Sequence, residues 1–272
     1  MFIEIIKSII LGVVEGITEW LPISSTGHMI LVNELIRNTK ENFTASDLYL
    51  YVIQLGAILA VVTLYFHKLN PFSPKKSKEE KHDTWQMWFK VLVACIPAAV
   101  IGLLLNDYME HFENWEVVSA MLIVYGIAFI IVERRHKKVR VNDMNQMTYK
   151  TALLIGLFQV LSIIPGTSRS GATILGAMIL GCSRGISAEF SFFLAIPVMF
   201  GVSLLKIVTY EGAMSGSDIA VLITGMVVAY IVSMLAIKFL MNYVRKHDFK
   251  SFGYYRIVLG ILVIGYFVLT GI

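Results

Sequence analysis

The sequence predicts an all-α membrane protein with six transmembrane helices and two re-entrant helical hairpins, arranged as an inverted-topology repeat. Three observations predict this class. Hydrophobic residues make up 57% of the 272 residues and charged residues 15%, against roughly 45–50% and about 25% in soluble domains. Six apolar runs are long enough to cross a bilayer, and two other segments contain similar internal breaks. The net charge of +4 is dispersed, so no nucleic-acid partner is indicated.

Six runs reach the length of about 20 apolar residues that a hydrocarbon core of ~30 Å requires. They lie near 48–66, 86–105, 117–133, 187–207, 219–237 and 254–271. The connections between them differ in the sign of their charge. Lys and Arg collect in 67–85, 134–150 and 238–253, whereas 106–116 and 209–218 contain acids but no Lys or Arg. Because cytoplasmic loops are rich in Lys and Arg, the first group is assigned to the cytoplasm and the second to the outside.

The segment 151–181 must cross the membrane an even number of times, because the connection before it is cytoplasmic and the span after it must start inside. Two full spans need roughly 40 residues, and this segment is shorter. It is also interrupted at Pro165, Gly166, Arg169, Ser170 and Gly171. We therefore expect a re-entrant pair of half-helices. Broken backbone at membrane depth is tolerated only where it is buried in protein or lines a wet cavity, so a functional site is expected here.

The first 35 residues predict a second segment of the same kind. A shift of 144 positions lays GVVEGITEWLPISSTGH over GLFQVLSIIPGTSRSGA and pairs Ser24 with Ser168. Each copy precedes three spans, and the first copy enters from outside while the second enters from inside. The chain is therefore divided into two inverted halves, 1–140 and 141–272, whose broken segments are expected to meet near the midplane.

Glu15 and Glu19 are four residues apart in a helical run, so their carboxyl groups share one face of the helix. Acids at membrane depth are costly. Two close carboxylates need a cation, a shared proton or water to coexist. The pair is therefore compatible with hydrogen bonds to neighbouring helices, with a divalent-cation site or with acid–base chemistry, and the spacing alone does not choose.

Two helix starts in the broken segments predict an anion site. Backbone N–H groups at a helix N-terminus are free, and nearby hydroxyl groups add further donors. The first start follows Pro22 and consists of Ser24, Ser25, Thr26 and Gly27. The second follows Pro165 and consists of Gly166, Thr167, Ser168, Arg169, Ser170 and Gly171.

Two further side chains at these starts bear on the chemistry. Arg169 carries a fork of N–H donors that matches phosphate oxygens, and the alternative is that it is only a structural partner for Glu15 or Glu19. His28 lies just past the first start, where its imidazole is able to donate to, accept from or attack a phosphoryl group. A lone histidine is also often only structural.

EGITEWLPISSTGH and PGTSRSGAT resemble the two signatures of the undecaprenyl-diphosphate phosphatases, the bacitracin-resistance family of integral membrane proteins. The likeness extends over essentially the whole chain, including LYVIQLGAILAVV and SAEFSFFLAIPVM. The resemblance implies hydrolysis of undecaprenyl diphosphate to undecaprenyl phosphate and inorganic phosphate, which returns the lipid carrier to peptidoglycan synthesis. It also implies bacitracin resistance and a location in the bacterial cell membrane.

The resemblance further implies which residues form the active site. Catalytic roles fall on Glu19, Ser25, His28 and Arg169, and a required divalent cation, Mg²⁺ or Ca²⁺, falls on Glu15 and Glu19. The residues expected to bind the substrate phosphates are Ser24, Thr26, Gly27, Ser168, Arg169, Ser170 and Thr173. The nucleophile stays open between Ser25, His28 and a water activated by Glu19.

The alternative function is a transporter or flippase for a phosphorylated lipid or anion, because inverted repeats with broken helices are typical of transporters. The carboxylate pair and His28 occur in one copy and Arg169 in the other, and this asymmetry favours catalysis. We expect the catalytic opening to face outside, where the first hairpin enters. The expected partners are a polyprenyl diphosphate lipid and the bilayer, and a homodimer is left open.

Overall fold

The computed structural model describes residues 1–39, 41–110, 112, 114–135 and 138–271. This part of the chain forms eleven α-helices with short turns between them. The helices are α1 Phe2–Thr18, α2 Ser25–Leu35, α3 Asp47–Leu64, α4 Phe66–Leu69, α5 Lys78–Glu110, α6 Trp115–Arg134, α7 Tyr149–Val160, α8 Arg169–Ile179, α9 Arg184–Val208, α10 Gly216–Lys246 and α11 Lys250–Thr270.

Six of these helices are long and apolar enough to cross a membrane, namely α3, α5, α6, α9, α10 and α11. Large apolar side chains cover their outer faces, for example Leu235 on α10 and Leu262 on α11, which are more than half exposed. Such surfaces suit contact with lipid tails. The predicted all-α, six-span membrane class is confirmed, and the chain is a multi-pass membrane protein.

The two remaining helix pairs, α1–α2 and α7–α8, are broken at matching positions. Proline has no N–H and disrupts a continuing helix, and Pro22 and Pro165 lie in the two breaks. Each break ends at a serine with a left-handed backbone, Ser24 with φ 74° and Ser168 with φ 70°. The side-chain oxygen of each serine accepts the N–H of the residue three positions later and caps the next helix. Ser24 and Ser168, which the 144-residue shift aligns, therefore have the same backbone conformation and the same capping role.

Contacts between helix ends place those ends on two faces of the molecule. On one face, Lys7 near the start of α1 donates to the carbonyl oxygen of Arg37, just after α2, at 3.1 Å. On the same face, Lys206 at the end of α9 lies 2.6 Å from Asp47 at the start of α3. The first hairpin therefore begins and ends on the face where α3 begins and α9 ends.

The second hairpin lies on the other face. Tyr149 at the start of α7 contacts Gln86 of α5, and Arg184, just after α8, pairs with Glu133 of α6 at 2.7 Å. The two charged connections 106–116 and 134–150 contain His111, Glu113, His136 and Lys137, which lie outside the described residues. The division into inverted halves, and which face is cytoplasmic, stay predictions.

The first helix of each hairpin packs against a span of the other predicted half. α1 packs along α10, and α7 packs along α5, while α3 contacts α9 and α6 contacts α11. The α3–α10 crossing is so close that a Cβ added at Gly56 would lie 2.1 Å from the carbonyl oxygen of Met226. At the α5–α7 crossing, a Cβ at Gly156 would lie 2.2 Å from the carbonyl oxygen of Ala94. Glycine thus lets the backbones approach closely at both crossings.

Candidate active site

The breaks of the two hairpins meet inside the protein. Ser170 Oγ at the start of α8 donates to the carbonyl oxygen of Leu21 in the first break at 3.3 Å. Helix α1 is about 25 Å long at ~1.5 Å per residue, so the first break lies deep below the face at which α1 begins. Residues that are almost 150 positions apart in sequence therefore form one buried polar region.

An ion pair joins the two hairpins at this point. Arg169 donates to Glu19 Oε1 through Nε at 3.1 Å and through Nη2 at 2.9 Å. Its Nη1 donates to the carbonyl oxygen of Ser191 in α9 at 3.0 Å. The side chains of the pair are only 11% and 9% exposed. The guanidinium carries more N–H groups than these contacts use, so part of the fork remains available to a ligand.

Ser25 contacts the second carboxylate oxygen of Glu19, the one that Arg169 does not bind. Its Oγ donates to Glu19 Oε2 at 3.4 Å, a long hydrogen bond. Trp20, fully buried, places its ring 5.9 Å from the guanidinium carbon of Arg169. Glu19 thus stands between a hydroxyl of the first hairpin and the arginine of the second.

Glu15 lies one helical turn before Glu19 and is also buried. Its Oε1 has no hydrogen-bond partner among the described atoms, and the same holds for both amide atoms of Gln159. The 144-residue shift pairs these two positions. An unpartnered buried oxygen is costly. The Oε1 atom of Glu15 is therefore able to accept a hydrogen bond, bind a cation or take up a proton.

The two carboxylates fit a cation only in part. Within the described residues, no cluster of three or more His, Cys, Asp or Glu side chains is placed to hold a metal ion. In phosphoryl-transfer sites, however, Mg²⁺ is often held by one or two carboxylates together with substrate phosphates and water. The free Oε1 of Glu15 and the weakly engaged Oε2 of Glu19 fit an ion shared with a substrate.

The two helix starts present the hydroxyl groups that the sequence predicts. Ser24 Oγ accepts from Gly27 N at 3.3 Å, and Ser168 Oγ accepts from Gly171 N at 3.1 Å. Ser170 lies 3.2 Å from Ser168, oxygen to oxygen. Thr26 is partly buried. Each helix start thus carries these hydroxyl groups in its first turn, while their binding of phosphate stays a prediction.

Thr173 lies deeper in α8 than the other predicted residues. Its Oγ1 is 2.9 Å from the carbonyl oxygen of Arg169 and 2.6 Å from Ser191 Oγ. The carbonyl oxygen of Ser191 also accepts from Arg169. Thr173 therefore fixes the position of Ser191, which in turn fixes the guanidinium of Arg169. Thr173 thus contacts the site through Arg169 and Ser191 rather than at the helix start itself.

His28 is held away from the ion pair. Its Nδ1 lies 2.7 Å from the carbonyl oxygen of Ser24, and its Nε2 lies 2.7 Å from the hydroxyl group of Tyr255 in α11. Because a carbonyl oxygen only accepts, Nδ1 carries a proton, and the neutral ring accepts from Tyr255 through Nε2. The ring also stacks on Tyr255, with centroids 5.6 Å apart. Both ring nitrogens of His28 are therefore engaged.

Sequence reasoning missed three residues of this region, namely Tyr255, Arg256 and Ser191. Arg256 donates to backbone oxygens of both breaks. The signal that points to it was present, because an arginine inside the apolar span 254–271 is costly and marks a functional position. Tyr255 and Ser191 carried no comparable signal, since a tyrosine or a serine is common in membrane helices.

The six spans and this geometry together define a class of protein: a multi-pass membrane protein with a polar site, centred on an ion pair, buried between two broken helices. Within that class, the chain belongs to the family described as Bacitracin resistance protein BacA, whose sequence model matches residues 8–262. The match covers five of the six spans and the second hairpin completely, and the larger part of the first hairpin and of α11.

Curated relatives agree with this assignment. The chain is 60% identical to a protein of Enterococcus faecalis over 99% of this chain and 100% of the relative. It is 56% identical to one of Lactiplantibacillus plantarum, over 98% and 99%, and 57% identical to one of Streptococcus thermophilus, over 97% and 93%. Each of these three relatives is named undecaprenyl-diphosphatase.

Proposed function

We propose that this chain hydrolyses undecaprenyl diphosphate to undecaprenyl phosphate and inorganic phosphate in the bacterial plasma membrane. The product is the lipid carrier that cell-wall synthesis uses again, and its supply would confer resistance to bacitracin. One observation carries the proposal. The Arg169–Glu19 pair joins two hydroxyl-lined helix starts deep in a membrane protein, and its close relatives are named for this reaction.

Substrate binding would rearrange the ion pair. A terminal phosphate carries more negative charge than one carboxylate and matches the fork of Arg169. It would share the guanidinium with Glu19, while the N–H and hydroxyl groups at Ser24–Gly27 and Ser168–Gly171 bind its other oxygens. The lipid tail would remain between the spans. The headgroup alone would then enter the protein interior.

Charge on the phosphoryl group must be neutralised as the bond to the lipid phosphate breaks. Glu15 and Glu19 would hold a divalent cation, Mg²⁺ or Ca²⁺, which would supply positive charge at the diphosphate. The unpartnered Oε1 of Glu15 supports this role. Arg169 would contribute its fixed positive charge from the opposite hairpin.

Of the candidate nucleophiles, the geometry favours Ser25. Its hydroxyl group donates to Glu19 Oε2, so Glu19 is placed to take the proton as Oγ attacks the terminal phosphorus and the oxygen of the lipid monophosphate leaves. Water would then hydrolyse the phosphoserine. His28 has both ring nitrogens engaged, which favours a role in orienting Ser24 and the start of α2.

We also propose that the two halves form an inverted repeat whose site opens to the outside. Two observations support this arrangement. Helix α1 packs against α10 of the other half, and α7 packs against α5. The two hairpins also begin at opposite faces. The acidic connection 209–218 lies on the face of the first hairpin, as the positive-inside rule requires of an external face.

Phosphate release by purified protein in detergent tests the function. Wild-type protein should release inorganic phosphate from undecaprenyl diphosphate, and the Arg169→Met variant should not. Arg184→Met is a matched control, because Arg184 forms a comparable fork on Glu133 near the other face. A protein that only transports or flips a phosphorylated lipid would release no phosphate in any of these variants.

A further inference from the structure

Arg256 of α11 is a fully buried arginine that contacts both broken hairpins. Its Nη1 donates to the carbonyl oxygen of Pro22 in the first break at 3.2 Å. Its Nη2 donates to the carbonyl oxygens of Gly166 and Thr167 in the second break at 2.9 and 3.0 Å. One guanidinium therefore connects the two segments from which the site is built.

The charge of Arg256 has no acidic partner in the described part of the chain. The ion pairs there involve other cations, including Arg169 with Glu19 and Arg184 with Glu133. Carbonyl dipoles and the ring of Tyr125, 5.4 Å from the guanidinium carbon, surround the charge instead. Burying a charge without an opposite charge is costly. Stability alone is therefore a poor reason for an arginine at this position.

The guanidinium also lies directly behind the second helix start. A Cβ added at Gly171 would lie 3.0 Å from Arg256 Nη1, and Gly171 N is the group that Ser168 caps. The positive charge thus stands close to the first turn of α8. It adds to the positive end of the helix dipole, where an anion is favoured.

We propose that Arg256 is a positioning residue for the phosphatase site. It fixes the two breaks relative to each other, so that Arg169 of one hairpin meets Glu19 of the other, and its uncompensated charge strengthens the anion site between the two helix starts. This inference rests on the proposed function. Arg256 does not touch the substrate in this scheme and acts through the backbone of the breaks.

The test compares Arg256→Lys and Arg256→Met with the Arg184→Met control. Lysine retains a charge, but it has one nitrogen where arginine uses two, Nη1 on the first break and Nη2 on the second. We expect kcat per folded molecule to fall by about a hundredfold in Arg256→Met, the cost of displacing positioned groups by about 1 Å, and by about tenfold in Arg256→Lys. KM should rise more in Arg256→Met than in Arg256→Lys, because only the lysine variant keeps the charge that favours an anion at the two helix starts.

A second readout follows the geometry of the break and needs no activity. With Trp85, Trp88 and Trp115 changed to Phe, the remaining tryptophan is Trp20, which is fully buried next to Arg169. If Arg256 holds the breaks together, both Arg256 variants should shift the emission of Trp20 to longer wavelength and increase its quenching by acrylamide. Arg184→Met should do neither. The single-tryptophan parent must first retain wild-type activity.

The outcomes separate the two proposals. If folded Arg256→Lys protein keeps kcat within about threefold of Arg184→Met and the emission of Trp20 is unchanged, the positioning role is wrong. The same holds if activity falls only in proportion to the amount of folded protein. If wild-type protein releases no phosphate, the proposed function fails, and the fluorescence comparison still decides whether Arg256 organises the breaks.

Discussion

Replacing Arg169 with lysine should remove most of the activity and leave the fold intact. The guanidinium makes two hydrogen bonds to Glu19 Oε1, at 2.9 and 3.1 Å, and one to the carbonyl oxygen of Ser191, at 3.0 Å. These acceptors are reached by three different nitrogens. A lysine ammonium keeps the charge, but it has one nitrogen and cannot reproduce the planar fork.

The magnitude follows from these contacts. Arg169→Met leaves Glu19 buried without its partner, which should cost about 3–5 kcal/mol of stability. Arg169→Lys keeps an ion pair and loses charge-assisted hydrogen bonds, so about 1–3 kcal/mol is expected. In the reaction, a lost transition-state donor costs about 2.7–4 kcal/mol, or roughly a hundredfold to a thousandfold in kcat.

The assay is phosphate release by purified protein in detergent, normalised to the monodisperse fraction, with the apparent melting temperature measured in the same detergent. Arg184→Lys is the control, because Arg184 donates through Nε and Nη2 to Glu133 at 2.8 and 2.7 Å far from the proposed site. It should lose stability but keep kcat. If Arg169→Lys keeps kcat within about threefold of wild type, the fork is not used in catalysis.

Three further predictions address the carboxylates, the helix packing and the orientation. Glu19→Gln should remove most of the activity and make the residual rate less dependent on added Mg²⁺ or Ca²⁺. Glu15→Gln should be milder, because Gln159 occupies the matching position. Full activity of chelated wild-type protein would contradict a cation on this pair. Gly56→Ala should destabilise the protein by about 1–3 kcal/mol or more, because its Cβ would lie 2.1 Å from the carbonyl oxygen of Met226. The control Gly102→Ala, with no atom within 4 Å of the added Cβ, should leave the apparent melting temperature nearly unchanged. Equal melting temperatures of the two variants would count against the close crossing. In a background without Cys95 and Cys182, a membrane-impermeant thiol reagent applied to intact cells should label Ser217→Cys and spare Ser77→Cys, and the reverse pattern would overturn the assigned orientation.

The sequence was sufficient to predict the six spans and the two breaks. Apolar length alone identifies α3, α5, α6, α9, α10 and α11, although α5 runs from Lys78 to Glu110 and is longer than the predicted 86–105. Its polar ends continue as helix beyond the apolar stretch, where hydropathy carries no signal. Ser24 and Ser168, which the internal repeat pairs, share a positive φ, while the inverted repeat itself stays a prediction.

The contacts of the site were less predictable. Both interpretations of Arg169, as a phosphate clamp and as a partner of Glu19, follow from sequence, and the structure shows the ion pair. The position of His28 against Tyr255, and that of Arg256 against both breaks, depend on where α11 packs. Such contacts join residues more than 80 positions apart, so no local pattern in the sequence reveals them.

The central claim is that the two helix breaks form one site for hydrolysing a lipid diphosphate. Phosphorus NMR of purified protein with undecaprenyl diphosphate tests it most directly, because substrate and both products are observed together. Wild-type protein should convert the diphosphate signals into those of inorganic phosphate and undecaprenyl phosphate in equal amounts, and folded Arg169→Met protein should leave the substrate unchanged. Unchanged diphosphate with folded wild-type protein and added divalent cation, or conversion at the wild-type rate by Arg169→Met, would contradict the claim.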